Sequence, residues 1–229
     1  MYQKESLLDK LNRKMGRYAI RNLMLVIVVI TGLVWLLDFI VTAKTDYSII
    51  SYLYFDKQLI LQGQVWRVVS FVFVPNAGSL FMLAISLYFD WLVGNALESE
   101  WGAFRFNIYY LVGVLGAIGS GFITGYATNY YLHLSLFLAF AILNPDFQVL
   151  VFFFLPIKMK WLAIIDAVGL VLLFIIEGWV GRIALLVALV NIPLFFWRDL
   201  VWKIKNIHRR KKYRREAKRK NDKDYPFDL

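Results

Sequence analysis

The chain has 229 residues, is 60% hydrophobic and only 18% charged, yet carries a net charge of +10. A water-soluble domain sits nearer about 45–50% apolar, and the excess here falls in long runs with few charges, so one soluble core is excluded in favour of membrane spans. The absence of cysteine excludes disulfides and thiolate metal sites.

Residues 1–22 form a basic segment with Lys4, Lys10, Arg13, Lys14, Arg17 and Arg21. The first apolar run, Leu23 to Val41, has no small-residue cleavage site after it and reads as a retained anchor. A long connection from Thr42 to about Gly78 follows. Within it, residues 48–75 mix apolar side chains with Asp56, Lys57 and Arg67, the pattern of an interfacial element partly embedded in the outer leaflet. Further spans are predicted at Leu80 to Leu97, Phe106 to Tyr126, Tyr130 to Leu143, Trp161 to Ile176 and Ile183 to Trp197. The fourth and sixth fall short of the ~17–25 residues of a full crossing, and such segments thin the bilayer or shelter behind neighbours. "FQVLVFFFLP", residues 147–156, is apolar but too short to span, and reads as a buried or interfacial segment. The tail, residues 198–229, contains "HRRKKYRREAKRKNDK" and is expected to lack a fold of its own where charge dominates.

The fold class expected is an all-α, six-helix membrane bundle over residues 23–197. Six crossings put both basic ends on one side, predicted to be cytoplasmic, and Arg105, Lys158 and Lys160 fall on the same side. Trp101, Trp161, Trp179, Trp197 and Trp202 stand near predicted span ends, as an aromatic belt would. The basic ends then act on anionic lipid headgroups rather than on a specific nucleic acid.

"GAIGSGFITG", residues 116–125, frames Ser120 with glycines inside an apolar run. A serine needs a base within hydrogen-bond reach to act as a nucleophile. Of the two histidines, His208 lies in the tail and only His133 lies within a span. An antiparallel turn between the third and fourth helices would bring Ser120 and His133 to similar depth. The alternative account needs no catalysis. Gly113, Ala117, Gly121 and Gly125 recur every four residues beside Gly116, Ser120 and Thr124, and small residues at that spacing let helices pack closely in lipid.

The chain resembles the rhomboid superfamily in "GQVWR" at residues 63–67, in Gly94, Glu98 and Gly102 spaced by four, in "RFNIYY", and in the stretch from "FLAFAILNPDF" through "FFFLPIKMKWLAIID". The resemblance spans residues 23–197. Rhomboid proteases use a serine in a G-x-S-G motif opening the fourth helix and a histidine in the sixth, with a histidine and an asparagine of the second helix binding the oxyanion. By that spacing the asparagine slot falls on Ser86, the histidine slot on Met82 and the nucleophile slot near Tyr130, and "IALLVALVNIPLFFW" has no histidine. The resemblance therefore implies a derlin-like pseudoprotease, without catalytic residues, cofactor or metal. Its partners would be transmembrane segments of other proteins, in quality control, trafficking or translocation.

Trp66 and Arg67 are expected to order the first loop through bonds to its carbonyls, and Glu98 to bond backbone donors of the turn at Gly102. Asp90 is expected to face the bundle or a cavity, because a charge at mid-helix is costly. Asp38 and Asp166 are read as lying near helix ends. Ser86, Tyr130, His133 and Asn191 are the polar residues expected to line a client cavity. Two further functions compete with client binding: an active protease with an atypical Ser120–His133 dyad, and a transporter or channel. The last lacks any inverted repeat or pair of broken helices.

Overall fold

The computed structural model describes residues 7–45, 47–151, 155–183, 185–187 and 189–190. They belong to one compact unit, Met1–Asn191. The tail from residue 198, most of the sixth predicted span and Asn191 lie outside the described residues.

The described residues open with a short amphipathic helix, α1 (Leu7–Met15), and a 3-10 turn, Gly16–Tyr18. Helix α2 (Leu23–Thr45) follows and runs four residues past the end expected from hydropathy. The first loop is not a bare connection. It holds a 3-10 turn (Ile50–Tyr52), α3 (Lys57–Leu61), α4 (Arg67–Ser70) and a second 3-10 turn (Phe71–Phe73). Asp56 starts α3 by accepting from the N–H groups of Gln58 and Leu59, the usual role of an N-cap carboxylate.

Helices α5 (Leu80–Trp101) and α6 (Ala103–Thr124) are joined by Gly102 alone. Gly102 sits at φ +81°, a backbone region that other residues rarely adopt, which is why this abrupt reversal needs glycine. Gly125, at φ +99°, ends α6 as a left-handed C-cap. It is therefore a helix stop and not a fourth member of a packing row. Helix α7 (Tyr130–Leu143) is short, and α8 (Met159–Ile176) follows a small antiparallel hairpin of β1 (Gln148–Val151) and β2 (Leu155–Lys158). The expected buried or interfacial segment at residues 147–156 thus contributes a two-stranded ribbon to an otherwise helical fold. Beyond α8, residues 179–183 are helical again.

Among the described residues, four helices, α2, α5, α6 and α8, are long and apolar enough to cross a membrane. Helix α7, at 14 residues, is about 21 Å long against a hydrocarbon core of ~30 Å. Most of the apolar surface of these helices points outward. Leu33, Leu37 and Phe39 of α2, and Ile165, Val168 and Leu172 of α8, are each more than half exposed. Apolar faces of this extent do not persist in water. They suit lipid, and helices satisfy the backbone there internally. The interior is aromatic: Phe71, Phe106, Tyr109 and Phe140 are almost wholly buried.

Small residues mark the close approaches. A Cβ at Gly94 would collide with Met24, so the glycine lets α2 lie directly on α5. A Cβ at Gly121 would stand 2.7 Å from the Phe55 ring and 2.9 Å from Ala127. The row predicted to pack one helix on another thus divides its work: Gly121 receives a side chain of the first loop, while Gly116 faces Val187. Gly113 and Ala117 border a cavity of about 10 Å³ with Ser120 and Ser135.

Candidate functional site

Three polar constellations tie this apolar bundle together. The first lies in the loop between α2 and α5. Arg67 is 4% exposed. Its Nη1 donates to the carbonyls of Ser51 (3.0 Å) and Tyr54 (2.9 Å), and its Nε donates to Gln64 Oε1 (2.7 Å). Ser70 Oγ donates to the Leu53 carbonyl, and Trp66 Nε1 to that of Tyr52. Side chains of the "GQVWR" stretch and its successor therefore bind the four consecutive carbonyls of residues 51–54. A guanidinium suits this task because its planar fork reaches several acceptors from one rigid group. Phe55 then enters the bundle, edge-on to Phe71 and Phe122, and Lys57 N–H donates to the Gly125 carbonyl. Asp38 holds the loop's start by accepting from Ser48 Oγ and Ile50 N–H.

Asn129 completes this clamp, and sequence reading missed it. Its position before α7 suggests an N-cap, yet its side chain makes no cap bond. It is 2% exposed, donates through Nδ2 to the carbonyls of Val72 and Val74, and accepts from Asn76 Nδ2 at 2.7 Å. The side chain thus pins the end of the loop to the start of α7. The local pattern held only an uncharged turn, and no local signal points to residues 57 positions away.

The second constellation lies at the opposite ends of the helices. Glu98 accepts from the N–H groups of Asn22 (2.7 Å) and Leu23 (3.2 Å). This corrects the expectation that Glu98 would bond the Gly102 turn. A carboxylate at a helix N-terminus meets unpaired donors and the positive end of the helix dipole, and here that helix is α2. Asn107 brackets Ile20, accepting its N–H and donating to its carbonyl, both at 2.9 Å. Asn144 donates to Glu100 at 2.6 Å. Lys10, Arg13, Lys14, Arg17, Arg21, Arg105, Lys158 and Lys160 belong to segments at this same end.

The third constellation lies between α5 and α7. Asp90 is at the middle of α5. Its Oδ1 is 2.9 Å from His133 Nδ1. With Nδ1 facing the carboxylate, the ring's other nitrogen, Nε2, is left for a further bond. That Nε2 is buried and has no hydrogen-bond partner among the described residues. Both side chains border a cavity of about 20 Å³ with Thr31, Asn76, Ser86 and Asn129. A volume near 10–15 Å³ already holds about one water.

Of the four residues expected to line one cavity, Ser86 and His133 come together. Tyr130 does not: its side chain is 45% exposed and stacks edge-on against Tyr131. Asn191 is outside the described residues. Ser120 is buried, and its Oγ donates to the Ala117 carbonyl, one turn back on its own helix. Since His133 Nδ1 meets Asp90 and Nε2 meets no partner, the Ser120–His133 hydrogen bond needed for an atypical dyad is not formed here. The serine that joins α6 to α7 is Ser135, whose Oγ lies 3.2 Å from the buried Tyr109 hydroxyl.

Asp166 is deeper than expected. Helix α8 begins at Met159, which places Asp166 about two turns inside it, with Oδ2 buried and without a hydrogen-bond partner among the described residues. No group of three metal-binding side chains occurs among the described residues. No family model and no curated protein matches the chain.

Proposed function

We propose that this chain is a multi-pass, rhomboid-like membrane protein without protease activity, which binds transmembrane segments of other proteins in the plane of the bilayer. The two basic ends would face the cytoplasm, since Lys and Arg concentrate at one end of the helices. The observation that carries the reading is the Asp90–His133 pair. Ionisable groups within membrane helices are costly and mark functional positions by default. This pair keeps one buried ring nitrogen, His133 Nε2, unused, beside a small polar cavity, on a helix too short to cross the hydrocarbon. Helix α7 packs against both α5 and α8. A client helix approaching between those two longer helices would meet a locally thin bilayer and a hydrogen-bonding partner for its own polar side chain.

The test is in-membrane photo-crosslinking of the full chain. A photoreactive residue in place of Ile85 on α5 or Ile165 on α8, both exposed, should capture single-span proteins. Clients with a Ser, Thr, Asn or Gln at mid-span should be captured over all-leucine spans. Absence of captured clients at both positions would refute the reading. Incubation with a fluorophosphonate probe tests the lack of catalysis: labelling of the wild type that is abolished by Ser120→Ala would reinstate an active serine.

A further inference from the structure

An apolar groove of about 410 Å³ is lined by residues of α2, α6 and the first loop and by none of α7. Its walls come from Leu23 and Ile27 of α2, Ile108, Leu111 and Val114 of α6, and Val72 of the first loop. The segment before α2 closes one end with Met15, Tyr18, Ala19 and Ile20. Its volume lies within the roughly 300–1,000 Å³ of small-molecule sites. From Phe104 to Val114 the groove follows ten residues of α6, about 15 Å, or half of a ~30 Å hydrocarbon core. It is therefore one leaflet long.

What stands at its mouth decides the occupant. Lys10, Lys14, Arg17 and Arg21 are exposed on the segment that forms the groove's end. Arg17 lies over the Tyr18 ring at 4.8 Å and donates to its hydroxyl. The segment is held in place rather than hanging free, because Asn107 brackets Ile20 and Glu98 holds Asn22 and Leu23. Exposed cations interleaved in sequence with Met15, Tyr18 and Ile20, which line this apolar channel of one-leaflet length, complement a phosphate-bearing headgroup with an acyl chain below it.

We infer that this groove binds one anionic phospholipid of the leaflet that faces the basic end, with its acyl chain along α6 and its headgroup against Lys14, Arg17 and Arg21. The inference stands on the membrane reading and is independent of client binding. Bound lipid would brace the amino-terminal segment against α6 and touch the first loop at Val72.

The test is native mass spectrometry of the full chain in mild detergent, titrated with phosphatidylglycerol or phosphatidylcholine of the same chain length. Wild type should retain one phosphatidylglycerol, at roughly tenfold lower lipid concentration than phosphatidylcholine, given the attraction of several nearby cations. The exposed-site variant Lys14→Glu/Arg17→Glu/Arg21→Glu should erase that preference and leave phosphatidylcholine binding unchanged. Filling the groove with Val114→Trp should reduce retention of both lipids by a similar factor. Equal retention of the two lipids by wild type, or a charge-reversed protein that keeps the preference, overturns the proposal. So does a folded Val114→Trp protein that binds as wild type. Should Val114→Trp misfold, Leu111→Phe supplies the same steric test.

Discussion

The first-loop clamp and the Asp90–His133 pair are both polar clusters in an apolar molecule, and they are built on opposite terms. Arg67 and Asn129 are more deeply buried, 4% and 2% exposed against 18% for the His133 side chain, and their polar groups are directed onto named partners. The pair between α5 and α7 has one bond and leaves His133 Nε2 without a partner among the described residues. A saturated cluster fixes conformation, because losing any member strands buried carbonyls. An unsaturated cluster contributes little to the fold but can bond something that arrives. The contrast separates scaffold from candidate site without reference to catalysis.

The contrast can be broken at several points. Arg67→Ala strands the Ser51 and Tyr54 carbonyls and should give the largest loss, about 3 kcal/mol from two or more charge-assisted bonds. It reads out as a lowered midpoint of thermal unfolding in detergent, with Arg67→Lys recovering part of it. Asn129→Leu, which removes two donated bonds and one accepted bond, should cost about 2 kcal/mol in the same assay. Glu98→Ala should cost about 1 kcal/mol, since it removes the cap of α2, and Glu98→Gln should recover only part of that, because its single amide oxygen accepts from one of the two N–H groups and the charge is lost.

His133→Leu sharpens the comparison from the other side. Combined with Asp90→Asn, so that no mid-helix charge is stranded, it removes an interhelical polar contact worth only ~0.6 kcal/mol on average, so the unfolding midpoint should scarcely move while capture of polar-spanned clients falls. A destabilisation as large as that of Arg67→Ala would place the pair in the scaffold instead. Ser120→Ala should be the smallest of all, within about 0.5 kcal/mol, because its hydroxyl bonds only back onto its own helix.

Some of this was legible beforehand. Leu23, Leu80 and Tyr130 open their helices where hydropathy places them, and the fourth span was recognised as short. That Asp90 should turn inward followed from the cost of a mid-helix charge. The bonding partner of Glu98 was misread because glycine spacing pointed to the adjacent turn, whereas the donors lie 76 residues earlier. Asn129 gave no signal, since an asparagine before a helix already has a local explanation. Gly121 was placed on a helix-packing face, but a loop phenylalanine fills the space it leaves.

The sequence by itself determined that this is a helical chain with several stretches fit for lipid, basic at its ends, without cysteine. Those properties are local: some twenty residues of apolar composition suffice to favour a membrane helix, whatever surrounds them. Only the tertiary structure decided which polar group meets which. Glu98 finds α2, Asn129 finds the loop's end, and Asp90 finds His133 rather than Ser120 being found by it. Such pairings depend on helix rotation and relative depth, which long-range packing sets and which an apolar run leaves unspecified, because many faces of these helices are equally suited to lipid.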